Sequence, residues 1–227
     1  MIHARIIGTG SYAPRKVLTN HDLEKMVETS DAWIFERTGI KERRICEKGE
    51  NTSDLAYEAA HRAIKAAGIS AQDVDLIIVA TMTADTIMPS TSCAIQARLH
   101  AKKAAAFDVA AACSGFLYAV SIADAFIKSG IYTTVLVVGA EALSRFTDWT
   151  DRTTCVLFGD GAGAAVFQRH AGKRGVLSTH IHADGAFGDF LQVPAGGSAH
   201  PASIDTVEKR QHFIKMKGNE LFKVAVR

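Results

Sequence analysis

Cysteine, proline and net charge are all scarce in this chain. Its four cysteines, Cys46, Cys93, Cys113 and Cys155, include no CxxC pair in 227 residues. Neither a zinc ribbon nor a disulfide framework is therefore expected, and all four read as free thiols. Lys+Arg 26 against Asp+Glu 24 leaves a formal charge of +2, too weak a field for nucleic acid to be the main partner. No apolar run approaches the roughly 18 residues of a membrane span. The start, Met1-Ile2-His3-Ala4-Arg5, has neither the charged nor the apolar region of a signal peptide, so a cytoplasmic protein without membrane association is expected. No low-complexity tract, interdomain linker or demonstrable repeat appears. What remains, 48% hydrophobic and 22% charged residues, is ordinary globular composition with enough chain to bury a core.

Short apolar, β-branched runs recur at Arg5-Ile6-Ile7-Gly8, Leu76-Ile77-Ile78-Val79, Ala106-Phe107-Asp108-Val109, Val135-Leu136-Val137-Val138 and Gly163-Ala164-Ala165-Val166-Phe167. Each reads as a strand buried on both faces. Helices are expected at Leu55 to Ala67 behind a capping Ser53, at Ser92 to Leu99, and at Cys113 to Lys128 before Gly130. The alternation predicts an α/β layered fold with a largely parallel sheet. From Ser114 to Lys128 almost no polar face exists, which predicts a central helix enclosed on all sides and needing more cover than the preceding strands supply. After Lys173-Arg174-Gly175 the sequence predicts a strand at Val176 to Ile181, a Gly-rich loop from Asp184 to Pro201, and a helix starting near Asn219. That helix is cut about two turns in, which leads to the expectation that 227 residues are not the whole functional polypeptide.

Cys113 follows the strand ending at Val109 and the run Ala110-Ala111-Ala112, and opens the apolar helix. At such a strand-to-helix corner, free N–H groups and the helix dipole favour a thiolate. Ala111, Ala112, Ser114 and Gly115 leave room for a substrate. Cysteine is also among the most buried residue types. Cys46, Cys93 and Cys155 are read as packing thiols, while for Cys113 the packing and nucleophile readings both stay open on the residues alone.

Three long motifs bear on that choice. Asp108-Val109-Ala110-Ala111-Ala112-Cys113-Ser114-Gly115-Phe116, Phe158-Gly159-Asp160-Gly161-Ala162-Gly163-Ala164, and Thr29-Ser30-Asp31-Ala32-Trp33 through Arg37-Thr38-Gly39-Ile40 resemble β-ketoacyl-acyl-carrier-protein synthase III, the initiating condensing enzymes of bacterial fatty acid synthesis. The resemblance runs from about Ile6 to Val226. It implies a thiolase-like five-layer αβαβα sandwich, with residues 1–174 as the N-terminal half and 175–227 as the start of an incomplete C-terminal half. It also implies that Cys113 takes a short acyl group, acetyl foremost, from acyl-coenzyme A and passes it to decarboxylating malonyl-acyl-carrier protein. Coenzyme A is then part of a substrate, and no resident cofactor or metal is implied. The family's catalytic His and Asn match nothing here and are expected beyond Arg227; a non-catalytic fragment of a condensing enzyme is the alternative.

The same resemblance implies further roles. Trp33, Arg37, Arg152 and, more distantly, Thr29 would hold coenzyme A, with Gly218 and Asn219 beside its pantetheine arm. Met88, Leu143, Val156 and Phe158 would shape the acyl pocket, Met88 from a loop that crosses a homodimer interface. Lys223, within the basic group Lys209, Arg210, Lys215, Lys217 and Lys223, would dock the acidic carrier protein. Without the motifs, Trp33 and Arg37 are a surface turn sharing one helical face, and Met88 is ordinary loop packing. Lys41-Glu42-Arg43-Arg44 reads as a solvated face.

Two rival chemistries are weaker. His180, His182 and Asp184 alternate, so on a strand they would share a face as a hydrolytic metal site requires. Gly159-x-Gly161-x-Gly163 resembles a dinucleotide loop, but β-like residues follow where a phosphate-binding helix should begin, and Gly8-Thr9-Gly10 lacks a third glycine.

Overall fold

The computed structural model describes residues 2–226. In chain order the elements are β1 (Ile2–Tyr12), β2 (Lys16–Thr19), α1 (Asn20–Leu23), α2 (Asp31–Thr38), β3 (Glu42–Ile45), α3 (Thr52–Ala67), β4 (Leu76–Ala80), α4 (Thr91–Arg98) and β5 (Ala105–Val109). There follow α5 (Gly115–Ser129), β6 (Thr134–Ala142), α6 (Arg152–Cys155), β7 (Asp160–Ala171), β8 (Leu191–Gln192), α7 (Ile204–Glu208), β9 (Lys215–Met216) and α8 (Gly218–Ala225). They divide into two compact units. The first takes residues 2–15, 46–142 and 160–181, and the second takes 16–45, 143–159 and 182–226.

The first unit is built on a five-stranded sheet of order β1-β7-β6-β4-β5. β4 runs parallel to β5 and β6, whereas β7 runs antiparallel to β6 and β1. Four of the five strands thus run the same way, as a largely parallel sheet requires, and β7 alone is reversed, because it returns after a connection whose only α-helix, α6, has four residues and makes no crossover. Alternation along each central strand sorts the core into two layers. Ile77, Val79, Leu136, Val138, Ala164 and Val166 pack with the helices α3 and α4. Leu76, Ile78, Val135, Val137, Ala165 and Phe167 pack with α5. The double-sided burial expected of every strand holds for β4, the first half of β6 and residues 164–167 of β7; β1 and β5 are the sheet edges and are partly open.

Two further expectations are corrected in this unit, the start of α3 and the strand at 176–181, and one is met, that α5 needs more cover than the preceding strands supply. α3 begins behind Asn51, whose N–H donates to Asp54 Oδ2 at 2.8 Å. Ser53 is buried inside the helix and its N–H donates to Asp85 Oδ1 at 3.0 Å. α5 is enclosed on one face only: Gly115, Ala119, Ala123 and Ile127 are buried, while Leu117 is 61% exposed. Apolar residues all round show that a helix can be covered on every side; here the sheet covers one side. Residues 176–181 form no strand. Val176 N–H donates to the Ala4 carbonyl at 2.9 Å, and its carbonyl meets His3 Nδ1 at 3.1 Å. Beyond it Leu177 stands 75% exposed.

The second unit holds the antiparallel pair of β2 and β3, with α1 and α2 between them in the chain, and an apolar cluster of Leu23, Ile34, Cys155 and Val156. The run 41–44 is not a uniformly solvated face. On β3 the burial alternates, and Arg43 points inward at 4% exposure. Its Nε donates to the Val156 carbonyl at 3.1 Å and its Nη1 to Asn20 Oδ1 at 2.6 Å. Burial holds its pKa below the ordinary arginine value. α8 spans Gly218–Ala225, close to the expected start.

Asp148, buried in the second unit, accepts hydrogen bonds from Arg210 Nε at 2.8 Å and from Thr150 N–H and Oγ1. The Arg210 guanidinium holds its carboxyl well below the ordinary 3.8. A carboxyl depressed by folding contributes stability above its unfolded pKa and loses it as pH falls through the folded value. Asp148→Asn is therefore expected to cost about 1–2 kcal/mol at neutral pH. It should also flatten the loss of thermal stability below about pH 4. An unchanged slope in a pH series of melting curves would show that the pair contributes nothing.

Candidate active site

In the first unit, β5 ends at Val109 and the chain turns through a single 3-10 turn, Ala112–Ser114, before α5 starts at Gly115. Cys113 lies in that turn, two residues ahead of the α-helix rather than as its first residue. Ala112 has φ +44°, a left-handed conformation that costs a non-glycine residue energy and is characteristic of functional corners. The turn is held close to the sheet: a Cβ on Gly115 would lie 3.0 Å from the Ala80 Cβ. The thiol of Cys113 is exposed.

Cys113 borders a cavity of about 270 Å³ lined by Ala80, Ala112, Phe116, Gly139, Ala140, Glu141, Gly161, Ala162 and Gly163. Apart from Phe116 and Glu141 these are the smallest side chains available, so carbon chains can approach the sulfur. Glu141 escaped the sequence reading, although a lone carboxylate closing the apolar run of β6 is a signal. Its Oε1 accepts from Met82 N–H at 2.7 Å and its Oε2 from Thr83 Oγ1 at 2.6 Å. Burial pushes its carboxyl pKa up, against these hydrogen bonds. The Phe158-Gly159-Asp160-Gly161 motif continues into strand β7, and Asp160 is buried with its Oδ2 accepting from Cys46 N–H at 2.6 Å. The glycines thus serve a strand, not a phosphate loop.

Of the remaining thiols, Cys46 is buried in this unit but Cys93 is exposed, not packed inside. Met88 precedes a cis Pro89 and is 78% exposed; it does not line the cavity beside Cys113.

In the second unit, Ser30 caps α2 by accepting from Trp33 N–H at 3.1 Å, and Gly39 at φ +71° ends it. Buried Ile34 fixes the helix rotation, and Asn20 Nδ2 brackets both ends by donating to Asp31 Oδ1 and the Ile40 carbonyl, each at 2.8 Å. Trp33 is then presented to two guanidiniums, Arg37 at 4.6 Å and Arg152 at 4.1 Å from the ring centroid. The buried Oγ1 of Thr29 and Nε of Arg152 have no hydrogen-bond partner among the described residues, which marks a place where polar ligand atoms would be stabilised. The sequence thus brings Trp33, Arg37 and Arg152 together as expected.

Leu143 opens a 3-10 turn and Phe158 is half-buried. Val156 is buried in the apolar cluster, and its carbonyl is taken by Arg43. Gly218 and Asn219 begin α8 and are exposed. Lys209, Arg210 and Lys217 pair with Asp205, Asp148 and Asp189. Lys223 is exposed with no ion pair among the described residues.

His180, His182 and Asp184 do not alternate on a strand. Asp184 Oδ1 instead accepts from Ala186 N–H at 3.0 Å, capping the 3-10 turn Gly185–Phe190. No metal-holding group of three His, Cys, Asp or Glu residues occurs among the described residues, and none of their helices is long and apolar enough to cross a membrane.

The family model described as 3-Oxoacyl-[acyl-carrier-protein (ACP)] synthase III matches residues 107–185, which include Cys113 and Glu141. A curated β-ketoacyl-[acyl-carrier-protein] synthase III of Caldanaerobacter subterraneus is 57% identical over 226 residues, covering 100% of this chain and 68% of that protein. One from Thioalkalivibrio sulfidiphilus is 58% identical, with 100% and 69% covered. The crystal structure of 3-oxoacyl-[acyl-carrier-protein] synthase III from Aquifex aeolicus superposes with a TM-score of 0.87 at 52% identity, over 97% of this chain and 67% of that one. Sequence identity, shared fold and the exposed thiol at the strand-to-helix turn agree: the chain belongs to the β-ketoacyl-[acyl-carrier-protein] synthase III family.

Proposed function

We propose that Cys113 is the acyl-carrying nucleophile of a condensing enzyme that joins a short acyl-coenzyme A to malonyl-acyl-carrier protein, yielding 3-oxoacyl-acyl-carrier protein, coenzyme A and carbon dioxide. The observation that carries this reading is the exposed thiol of Cys113 at the mouth of a cavity of small residues. The thiolate attacks the thioester carbonyl, the carbon–sulfur bond to coenzyme A breaks, and the acyl group stays on Cys113. Malonyl-acyl-carrier protein then loses carbon dioxide. The electron pair left on its α-carbon attacks the acyl carbonyl, and the bond to Cys113 breaks to return the thiolate. Exposure to acetyl-coenzyme A should leave one acetyl group on Cys113, found by peptide mass mapping; an adduct on another residue overturns the assignment.

The nucleotide end of coenzyme A is assigned to Trp33, Arg37, Arg152 and Thr29. A flat adenine takes the place of a guanidinium over the Trp33 ring, stacking between Trp33 and the displaced Arg152, and the unpaired Arg152 Nε and Thr29 Oγ1 suit its polar atoms. Trp33→Ala is expected to weaken coenzyme A binding about 5- to 10-fold, since such stacking contributes about 1 kcal/mol or more. Unchanged affinity by calorimetry would remove Trp33 from the site.

Several finer roles rest on the family resemblance. They are Gly218 and Asn219 beside the pantetheine arm, Met88, Leu143, Val156 and Phe158 at the acyl pocket, Lys223 as a carrier-protein contact, a homodimer, and a cytoplasmic location. The division into an N-terminal half at residues 1–174 and the start of a C-terminal half at 175–227 rests on the same resemblance. The exposure of Met88 and Ile87, 78% and 89%, fits a loop that is covered by a partner.

A further inference from the structure

One carboxylate lines the cavity beside Cys113, and the condensation gives it a task. Glu141 follows Val135–Val138, Gly139 and Ala140 on β6, and every other lining residue is uncharged. Both its oxygens are fixed, by Met82 N–H and Thr83 Oγ1. Thr83 is itself held, its Oγ1 accepting from Ala142 N–H at 2.8 Å and its carbonyl from Thr52 Oγ1 at 2.5 Å. Glu141 forms no ion pair with Lys, Arg or His among the described residues; burial raises its carboxyl pKa while its hydrogen bonds oppose that, so its charge, which no neighbouring cation cancels, is fullest at alkaline pH. A charge held among protein atoms acts more strongly on an entering charge than it would in bulk water.

The two substrates of the proposed condensation, on which this inference rests, are both short acyl thioesters. The malonyl group differs from an acetyl group by a carboxylate. A ping-pong enzyme has to load only one of them on its cysteine. We propose that Glu141 is a specificity-determining residue that repels carboxylate-bearing acyl groups from Cys113, so that malonyl thioesters do not acylate it. Glu141 takes no part in bond making; it selects which carbonyl reaches the sulfur.

Iodoacetamide and iodoacetate are close in size and differ in charge, so their relative alkylation rates at Cys113 report the field at the sulfur without needing turnover. In the full chain at about pH 8 and low salt, Glu141→Gln should raise the iodoacetate-to-iodoacetamide ratio at Cys113 about 5-fold. Glu141→Asp, which keeps the charge, should leave the ratio near that of the original chain. The exposed Cys93 is the internal reference, and its ratio should not move in either variant. A rise in malonyl adduct on Cys113 from malonyl-coenzyme A should accompany the Gln variant. An unchanged ratio in Glu141→Gln overturns the proposal. Should that variant fail to fold, high salt on the original chain is expected to raise the Cys113 ratio more than the Cys93 ratio, and equal responses overturn it. Failure of the condensing reading looks different: charge-selective alkylation persists while acetyl-coenzyme A leaves no adduct on Cys113.

Discussion

Cys113→Ala is expected to lower coenzyme A release from acetyl-coenzyme A on the order of 10³-fold or more, the scale on which loss of a covalent nucleophile falls. That corresponds to about 4 kcal/mol of transition-state stabilisation. The same change should leave stability within about 0.5 kcal/mol, because the side chain is exposed and an alanine already occupies the strained position before it. The separation of the two readouts is what makes the variant informative. Cavity, fold and coenzyme A affinity stay as they were, and only the atom that would hold the acyl group is gone. The measurement is single-turnover release of free coenzyme A thiol alongside a melting curve. Residual transfer within tenfold of the original chain would mean that the acyl group is carried elsewhere, and the exposed Cys93 would then be the next thiol to map. Cys46 and Cys155 are buried and are poor substitutes; burial also pushes the Cys155 thiol pKa up, which disfavours its thiolate.

The sequence patterns differ in how well they announced the structure, and the differences have physical causes. The central strands β4 and β6 were legible because both faces are buried, which demands unbroken runs such as Leu76-Ile77-Ile78-Val79. The strand expected at Val176 to Ile181 carried a similar run, but a run states only that residues tolerate burial, and no neighbouring strand takes up its N–H and C=O groups beyond Val176. In α2 the four-residue spacing of Trp33 and Arg37 made their shared face legible, and the cap Ser30 and the left-handed stop Gly39 hold that turn in place. Arg43 was not legible. Its neighbours Lys41, Glu42 and Arg44 are charged, and period-two burial on a short strand is hidden when the alternating positions are charged alike. Asn20 gives the buried guanidinium its partner, and it lies 23 residues away, beyond any local pattern. For the candidate site, the strand–turn–helix placing of Cys113 followed from the small-residue run. The position of Glu141 at the same cavity needed the pairing of β6 with β4, a contact between distant segments.

Gly10→Ala is expected to be severely destabilising, costing about 4 kcal/mol or more out of a total stability of about 5–15 kcal/mol. A Cβ at Gly10 would sit 2.3 Å from the Ala59 carbonyl oxygen and 2.4 Å from the Ala63 nitrogen, and one at Gly8 would sit 2.3 Å from the Ala67 nitrogen. These are backbone atoms, so no side chain can rotate away; α3 itself would have to lift off β1. The helix face there is Ala56, Ala59, Ala60 and Ala63, all 0% exposed, a small-residue surface laid directly on a glycine strand. That contact explains Gly8-Thr9-Gly10 without any phosphate: the glycines admit a helix, not a ligand. Gly163→Ala is the matched control. It lies on β7, opposite Ser11 of β1, and a Cβ there meets nothing within 4 Å. Its stability should hold within about 0.5 kcal/mol or rise slightly through the stiffer unfolded chain. In urea, the Gly10 variant should lower the midpoint with an unchanged slope if α3 shifts as a rigid body, and lower both if the helix detaches. A midpoint within error of the original chain would show that β1 can slide away from α3. In that case the close packing of the two would not be what requires glycine at positions 8 and 10.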